Sequence, residues 1–272
     1  MGKGRRFFKW ALGMALAAVV LSLALVTLLR WVPVRYTPVM LKRAFQFREV
    51  QGFQTEQEWV SLGEISPELI KAVIAAEDGR FFKHHGFDTD AVRAMWKAHR
   101  KDGTPIRGCS TISQQTAKNV FTFGTRFPLR KIPEAYWTVL IELIWGKFRI
   151  LEVYLNVAEW GRGIYGAERA SIEYFGIPAA NLNPAQAAAM AVCLPRPLLE
   201  RPGSLSPEGK RRSGKIARQI SSIQLSYKIE TLTHKQKANE NQVSLASPPA
   251  LFHRRSLDHL PPSQPPCPSE RD

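Results

Sequence analysis

The feature that most constrains this chain is an uncharged, largely apolar run near its N-terminus. The run, Trp10–Leu29, follows a basic segment at residues 1–9 and ends in Leu-Leu-Arg-Trp. An apolar helix of about twenty residues is long enough to cross a bilayer core, and a basic flank stays on the cytoplasmic side. A cleaved signal peptide is the competing interpretation, but it would have a shorter apolar core followed by a small-residue cleavage site. The pattern therefore predicts a retained single-pass anchor.

The overall charge indicates an anionic partner. The net charge is +15, from 38 Lys and Arg residues against 23 Asp and Glu residues, and the sequence pI is about 10.0. Such a balance is typical of proteins that bind nucleic acid, anionic lipid or a phosphorylated substrate. Because the anchor places everything after residue 30 outside the cytoplasm, we expect no nucleic acid, and anionic membrane lipids become the natural partner.

Composition divides the chain into five parts. These are a cytoplasmic basic segment at 1–9, a transmembrane anchor at 10–29, a juxtamembrane segment at 30–50, a folded domain at 51–226 and a Pro/Ser-rich tail at 227–272. Helical periodicity dominates the folded part and alternating strands are few, so the predicted class is mainly α. The tail has too little apolar surface to fold, and we expect it to be disordered.

The first segment that carries candidate catalytic side chains is E-D-G-R-F-F-K-H-H-G-F-D, Glu77–Asp88. Ser66-Pro67-Glu68 before it has the cap, first-turn proline and acid of a helix start, and the apolar face of that helix includes Glu77. Partial burial and the negative end of the helix dipole both raise the pKa of a carboxyl at this position. Glu77 is therefore a candidate general base. The alternative is a helix-end acid paired with Arg80 or a histidine.

The second segment, Arg107–Asn119, reads R-G-C-S-T-I-S-Q-Q-T-A-K-N. A hydroxyl there can cap a helix whose free N–H groups favour anions, and the following turns carry amides and an ammonium group. Such a polar stripe suits sugar hydroxyls and a phosphate, although a solvated helix face is the simpler alternative. The candidate binding residues are Ser110, Thr111, Gln114, Gln115, Lys118 and Asn119.

The third segment is R-K-I-P-E, Arg130–Glu134. We predict that a long helix starts at Pro133, with Arg130 and Lys131 just ahead of it and Glu134 in its first turn. The cations and the helix N-terminus favour the ionised form of Glu134, so the two glutamates have opposite environments, as expected of two carboxylates with different roles. The apolar continuation of this helix through Trp145 predicts a buried central helix.

These blocks, in this order behind an N-terminal anchor, resemble the family-51 peptidoglycan glycosyltransferases. Glu77–Asp88 is similar to the first motif of that family, Gly108–Asn119 to the second and Arg130–Glu134 to the third. K-F-R-I-L-E-V-Y-L-N at Lys147–Asn156 resembles the fourth motif, and A-A-A-M-A-V-C-L-P-R-P at Ala187–Pro197 the last. The resemblance covers about residues 50–225.

The resemblance implies a lysozyme-like glycosyltransferase domain with a membrane-associated smaller lobe, in a bacterial cytoplasmic (inner) membrane. The implied reaction polymerises lipid II into β-1,4-linked glycan strands, with inversion at the donor anomeric carbon and release of undecaprenyl pyrophosphate. Lipid II, the growing strand and other cell-wall synthesis or division proteins are then the expected partners. No cofactor is required by the sequence, although a divalent cation (Mg or Mn) at the pyrophosphate is compatible with it.

The resemblance also assigns roles to individual residues. Glu77 becomes the base that takes the proton of the acceptor 4-hydroxyl, and Glu134 assists at the donor side. The pyrophosphate is assigned to Arg130, Lys131 and Lys118, alone or with a metal. Donor positioning is assigned to Ser110, Thr111, Gln114, Gln115 and Asn119, and the ordering of the base to Asp78, Arg80 and His84.

Two alternative functions stay open. Cys109 stands where the family usually has a second glycine, which keeps a non-catalytic lipid II-binding scaffold under consideration. A lysozyme-like glycan hydrolase would share the fold and one glutamate with a raised pKa, but it would need a protonated acid where this chain has cations. No S-x-x-K motif of a transpeptidase occurs in the sequence.

Overall fold

The architecture, described from a computed structural model, is a bundle of α-helices with one small sheet. The described residues are 2–50, 53–105, 110–124, 131–223 and 225, with side chains from residue 6 onwards. Within them the helices are α1 (Gly2–Leu29), α2 (Pro38–Gln46), α3 (Pro67–Glu77), α4 (Thr89–Asp102), α5 (Ile112–Phe121), α6 (Lys131–Ile144), α7 (Gly146–Val157), α8 (Ala167–Phe175), α9 (Pro184–Cys193) and α10 (Pro207–Ile220). The predicted mainly-α class is confirmed. The predicted bounds of the folded domain stay a prediction, and the 227–272 tail lies outside the described residues.

Helix α1 is apolar over Arg6–Leu29, a stretch of 24 residues of which little is buried inside the protein. At 1.5 Å per residue this stretch is about 36 Å long, enough to cross a bilayer core. Its C-terminal end is tied to the helices that follow. Trp145 Nε1 donates a hydrogen bond to the Val26 carbonyl at 2.7 Å, and Arg149 Nη2 donates one to the Leu29 carbonyl at 2.8 Å.

The hydrophobic core lies where α3, α5, α7, α9 and α10 meet. Helix α7 contributes the most buried residues to the core, because its residues from Ile150 to Val157 are buried apart from half-buried Glu152. Helix α9 packs against α3 through small side chains, chiefly alanines, which let the two helices approach closely.

Local sequence signals account for several helix ends, and the predicted start of α3 is confirmed. The Ser66 hydroxyl accepts a hydrogen bond from the Glu68 N–H, Pro67 is the first residue of α3, and the helix ends at Glu77. Helix α8 ends at Phe175, followed by Gly176 in the left-handed conformation (φ +67°). A capping box of Asn183 and Gln186 begins α9.

The prediction for α6 was wrong in two details. The helix begins at Lys131 rather than at Pro133, so the proline lies in the first turn, where its missing N–H is not required. The helix is also not buried throughout, because Leu143 is 77% exposed and Val139 is 47% exposed. An apolar run without a polar face does not reveal which side packs on the core, and here only one side does.

A three-stranded sheet, in the order β1-β3-β2, closes one side of the domain. The strands are β1 (Glu56–Gln57), β2 (Glu159–Gly161) and β3 (Ile164–Tyr165), with β1 parallel and β2 antiparallel to β3. They were too short for an alternating pattern to reveal them. Gly163, at φ +76° in the β2–β3 turn, lies so close to the Gln54 carbonyl that a Cβ would come within 2.4 Å of it.

The side chain of Asn156, at the end of α7, holds the segment that leads into α3. Its Oδ1 accepts a hydrogen bond from the Val60 N–H at 3.0 Å, and its Nδ2 donates to the Val60 carbonyl at 2.9 Å and to the Glu152 carbonyl at 2.8 Å. Asn156 is fully buried, so no water replaces these bonds when the side chain is shortened.

We predict that Asn156→Ala lowers the free energy of unfolding by about 2–4 kcal/mol, because the Val60 amide and carbonyl groups lose their partner. The measurement is thermal or chemical unfolding of the full chain in detergent. Asn181→Ala is the matched control, since Asn181 is exposed. Equal stability of the two variants would contradict this account.

Candidate active site

Glu77 is the last residue of α3 and lies half-buried at the surface of the core. Its Oε2 accepts a hydrogen bond from Gln115 Nε2 at 2.8 Å. Burial raises the pKa of the Glu77 carboxyl above its ordinary value near 4.5. The hydrogen bond from Gln115 and the charges of Arg212 and Lys118 oppose this shift without cancelling it. The raised pKa expected from the sequence is confirmed.

Asp78, the next residue, ties three segments together. Its Oδ2 accepts the Ile112 N–H at 3.0 Å, so the carboxylate caps the first turn of α5. His84 Nε2 lies 3.0 Å from Asp78 Oδ1 and 3.1 Å from Oδ2. Both side chains are buried, and these contacts fix the end of α3 against the start of α5.

The start of α5 is further fixed by Thr111. Its hydroxyl donates to the Gly86 carbonyl at 2.6 Å and accepts the Gln114 N–H at 3.1 Å, while Gln114 Oε1 accepts the Thr111 N–H at 3.0 Å. Thr111, rather than Ser110, is therefore the N-cap, and the Gln114 amide completes a capping box. Gln115, the next residue along α5, is then directed at Glu77.

Glu134, on α6, is buried, with an exposed fraction of 2%. Its Oε2 lies 2.8 Å from the Lys131 ammonium group, which also donates to Ser110 Oγ at 3.5 Å. The Ser110 carbonyl in turn accepts a hydrogen bond from Gln115 Nε2 at 3.5 Å. A continuous chain of polar contacts thus joins Glu134 to Glu77 through Lys131, Ser110 and Gln115.

Arg80 contacts carboxylates on the far side of the first motif. Its guanidinium lies 2.6 Å from Asp90 and 3.6 Å from Asp88. Asp78, His84 and Asp88 could offer ligand atoms within 4.8 Å of one another. However, Asp78 is occupied by His84 and the Ile112 N–H, and Asp88 caps α4 through the Ala91 N–H at 2.9 Å. Asp78 and Asp88 thus have structural contacts, and these explain why the three side chains lie close together.

The structure brings most of the predicted site residues together. A connected set lies around the ends of α3 and α5 and the start of α6: Glu77, Asp78, His84, Ser110, Thr111, Gln114, Gln115, Lys131 and Glu134. Lys118 is close enough to act on the Glu77 charge, and Asn119 lies half-buried on the same helix. Arg130 and Cys109 lie outside the described residues. The roles assigned to these residues stay predictions.

Two residues near Glu77 were missed. Arg212, in α10, acts electrostatically on the Glu77 carboxylate, and Tyr154, in α7, donates a hydrogen bond from its hydroxyl to Gln115 Oε1 at 3.2 Å. Arg212 belongs to a basic run that resembles a solvated helix face. Tyr154 belongs to an apolar stripe of its helix. Its hydroxyl was the one signal of a polar contact in the sequence, because a buried tyrosine hydroxyl usually has a hydrogen-bond partner.

The arrangement combines a carboxyl whose pKa is raised by burial with lysine side chains. Lys118 acts on the Glu77 charge, and Lys131 is joined to Glu77 through Ser110 and Gln115. Such a site is suited to deprotonating a hydroxyl group while an anionic leaving group departs beside lysine side chains. The mainly helical fold and this pair of glutamates fit an enzyme that transfers a glycosyl group from an activated donor.

Comparison with known proteins agrees with this class. A model of the transglycosylase family matches residues 43–221. Proteins named biosynthetic peptidoglycan transglycosylase are similar to the chain: one from Aeromonas hydrophila is 46% identical over 76% of this chain and 88% of its own length. Another, from Bdellovibrio bacteriovorus, is 47% identical over 75% and 83%, and one from Pseudomonas aeruginosa is 44% identical over 79% and 91%. The chain belongs to the transglycosylase family.

The raised pKa of Glu77 predicts how its replacement changes stability with pH. A carboxyl whose pKa is raised by folding stabilises the folded state when protonated, and this contribution is lost as the pH rises through the folded-state pKa. We therefore expect Glu77→Gln to gain stability relative to wild type as the pH rises from 5 to 8.

The measurement is thermal unfolding of both proteins in one detergent across this range. Glu68→Gln removes the same formal charge from a half-exposed position on α3 and controls for the change in net charge. A stability difference that is constant with pH would contradict the assignment of a raised pKa to Glu77.

Proposed function

We propose that this chain polymerises lipid II into β-1,4-linked glycan strands and releases undecaprenyl pyrophosphate. Peptidoglycan transglycosylase activity in cell wall biosynthesis is the coarser part of this statement, and it follows from the family and its relatives. The observation that carries the finer part is the polar chain from Glu77 through Gln115, Ser110 and Lys131 to Glu134. This chain of contacts joins Glu77, the proposed base, to Lys131, a cation on the side of the site proposed to bind the donor pyrophosphate.

In this proposal Glu77 is the general base. Its carboxylate takes the proton of the acceptor sugar's 4-hydroxyl as that oxygen attacks the donor anomeric carbon from the face opposite the pyrophosphate. The attack inverts the anomeric centre. Burial supports the role, because a carboxyl with a raised pKa is a stronger base than an exposed glutamate.

The donor side is proposed to act through positive charge. A pyrophosphate leaves as a stabilised anion, so it needs cations rather than a strong general acid. Lys131 is half-exposed and held by buried Glu134, which aims its ammonium group beside Ser110. Lys118 follows on α5, and Arg130 precedes Lys131 in the sequence. Ser110, Thr111, Gln114, Gln115 and Asn119 are proposed to position the donor.

We propose that no cofactor is required. Glu134, the glutamate proposed to lie on the donor side, is already paired with Lys131 at 2.8 Å. Ammonium groups therefore supply the charge that Mg²⁺ or Mn²⁺ would otherwise supply at a pyrophosphate. If a divalent cation is bound together with the substrate, it would sit on the pyrophosphate oxygens near these residues and add to the same neutralisation.

The proposed location is a bacterial cytoplasmic (inner) membrane, with a cytoplasmic N-terminus and an extracytoplasmic catalytic domain. The apolar helix α1 and the basic residues ahead of it support this orientation. Lipid II, the growing strand and anionic membrane lipids are the proposed partners. Other cell-wall synthesis or division proteins are proposed as further partners, and nucleic acid is not.

The first test compares lipid II polymerisation by detergent-solubilised wild type and Glu77→Gln, with products resolved by chain length. We expect polymer from wild type and a loss of at least about 10²-fold in the variant, because the general base is absent. Glu68→Gln, on the same helix, should keep the wild-type rate. Failure of folded wild type to polymerise lipid II that it still binds would favour the scaffold, with Cys109→Gly as the next variant. Shortening of preformed glycan would favour the hydrolase.

A second test concerns the donor side. We expect polymerisation to persist in EDTA, whereas Lys131→Met should lower the rate about 10²-fold, because it removes a cation that stabilises the leaving group. Initial rates are measured in EDTA and again after addition of Mg²⁺ or Mn²⁺. A rate that collapses in EDTA and returns with either metal would show that the cations alone are insufficient.

A further inference from the structure

The Gln115 amide stands between Glu77 and Tyr154. Its Nε2 donates to Glu77 Oε2 at 2.8 Å, and its Oε1 accepts from the Tyr154 hydroxyl at 3.2 Å. Tyr154 is 1% exposed and packed within α7, so its hydroxyl is held in place by the core. Buried Tyr154 on α7 is thus connected to Glu77, the candidate base, through the Gln115 amide.

An amide can be turned end for end, and the two orientations are not equivalent here. With Nε2 toward Glu77, the amide donates to an ionised carboxylate, and the Tyr154 hydroxyl has an acceptor. In the reversed orientation Oε1 would face Glu77, which is favourable only when that carboxyl carries a proton. The buried Tyr154 O–H would then lose its acceptor, and an unsatisfied buried donor is unfavourable.

We propose that Tyr154 is a positioning residue that holds the Gln115 amide with its N–H groups toward Glu77. This keeps the base ionised and aimed before the acceptor hydroxyl arrives. The inference rests on the proposed role of Glu77 as the base. Tyr154 acts through Gln115 and touches no substrate.

The electrostatics around Tyr154 support a donor role. Burial, together with the charges of Glu77 and Asp78, raises the pKa of the Tyr154 hydroxyl well above 10. The hydroxyl therefore keeps its proton throughout the pH range in which Glu77 titrates. Tyr165 offers a contrast, because it is also fully buried but its hydroxyl has no hydrogen-bond partner among the described residues.

The first experiment measures the pH dependence of kcat and KM for lipid II polymerisation by full-length Tyr154→Phe. Without the hydroxyl the Gln115 oxygen loses its donor, so the reversed orientation becomes more populated and Glu77 loses part of the hydrogen bond that favours its ionised form. The acidic limb of kcat should therefore move up by about one pH unit, a roughly tenfold loss of rate on that limb. KM should change little.

Two comparisons separate positioning from packing. Tyr165→Phe removes a hydroxyl from an equally buried ring and should leave the acidic limb where it is in wild type. Adding Tyr154→Phe to a Gln115→Ala background should cause no further shift, because the amide through which Tyr154 acts is gone. An unchanged limb in Tyr154→Phe, or a full additional shift in the double variant, would overturn the proposal.

A substrate-free measurement keeps this proposal distinct from the proposed function. The Glu77 carboxyl is titrated by infrared difference spectroscopy, with Glu77→Gln as the reference that identifies its band, in wild-type and Tyr154→Phe backgrounds. The proposal expects the Glu77 titration midpoint to rise in Tyr154→Phe. An unchanged midpoint overturns it, whereas a raised midpoint in a protein that makes no polymer would leave Tyr154 as the determinant of the charge of Glu77 and reject the base assignment alone.

Discussion

The Asp78 carboxylate is the contact on which the rest of the site depends. It accepts the first N–H group of α5 and binds His84, and it follows Glu77 directly in the chain. Because one buried side chain connects the end of α3 with the start of α5, Gln115 reaches Glu77 one turn further along α5. This contact, together with the hydrogen bond from Gln115 to Glu77, holds the two helix ends in a fixed relation.

The same region links the candidate site to the apolar helix α1. Glu134 lies in the first turn of α6, and the Trp145 indole just after the end of that helix donates to the Val26 carbonyl of α1. The exposed apolar side of α6, including Leu143, is on the helix that carries Glu134. Helix α6 therefore connects Glu134 to the apolar helix α1.

Much of the fold was predictable where a few neighbouring residues decide the outcome. Ser66-Pro67 started α3, Gly176 ended α8, and Asn183 with Gln186 started α9, because caps act over one turn. Helix α6 was predicted less well. Its apolar run has no polar face, so its burial depends on which helices cover it.

The sequence by itself determined the chemistry of the site: a carboxylate at a helix end, amides and hydroxyls at a helix start, and cations beside a second glutamate. Only the tertiary structure decided how these groups meet. Gln115 is 38 residues from Glu77 and Tyr154 is 39 residues from Gln115. No local pattern reports such contacts, because they arise from the packing of α3, α5 and α7 in one core. Arg212 and Tyr154 were therefore visible as a cation and a buried tyrosine, while their position beside the base came from the fold.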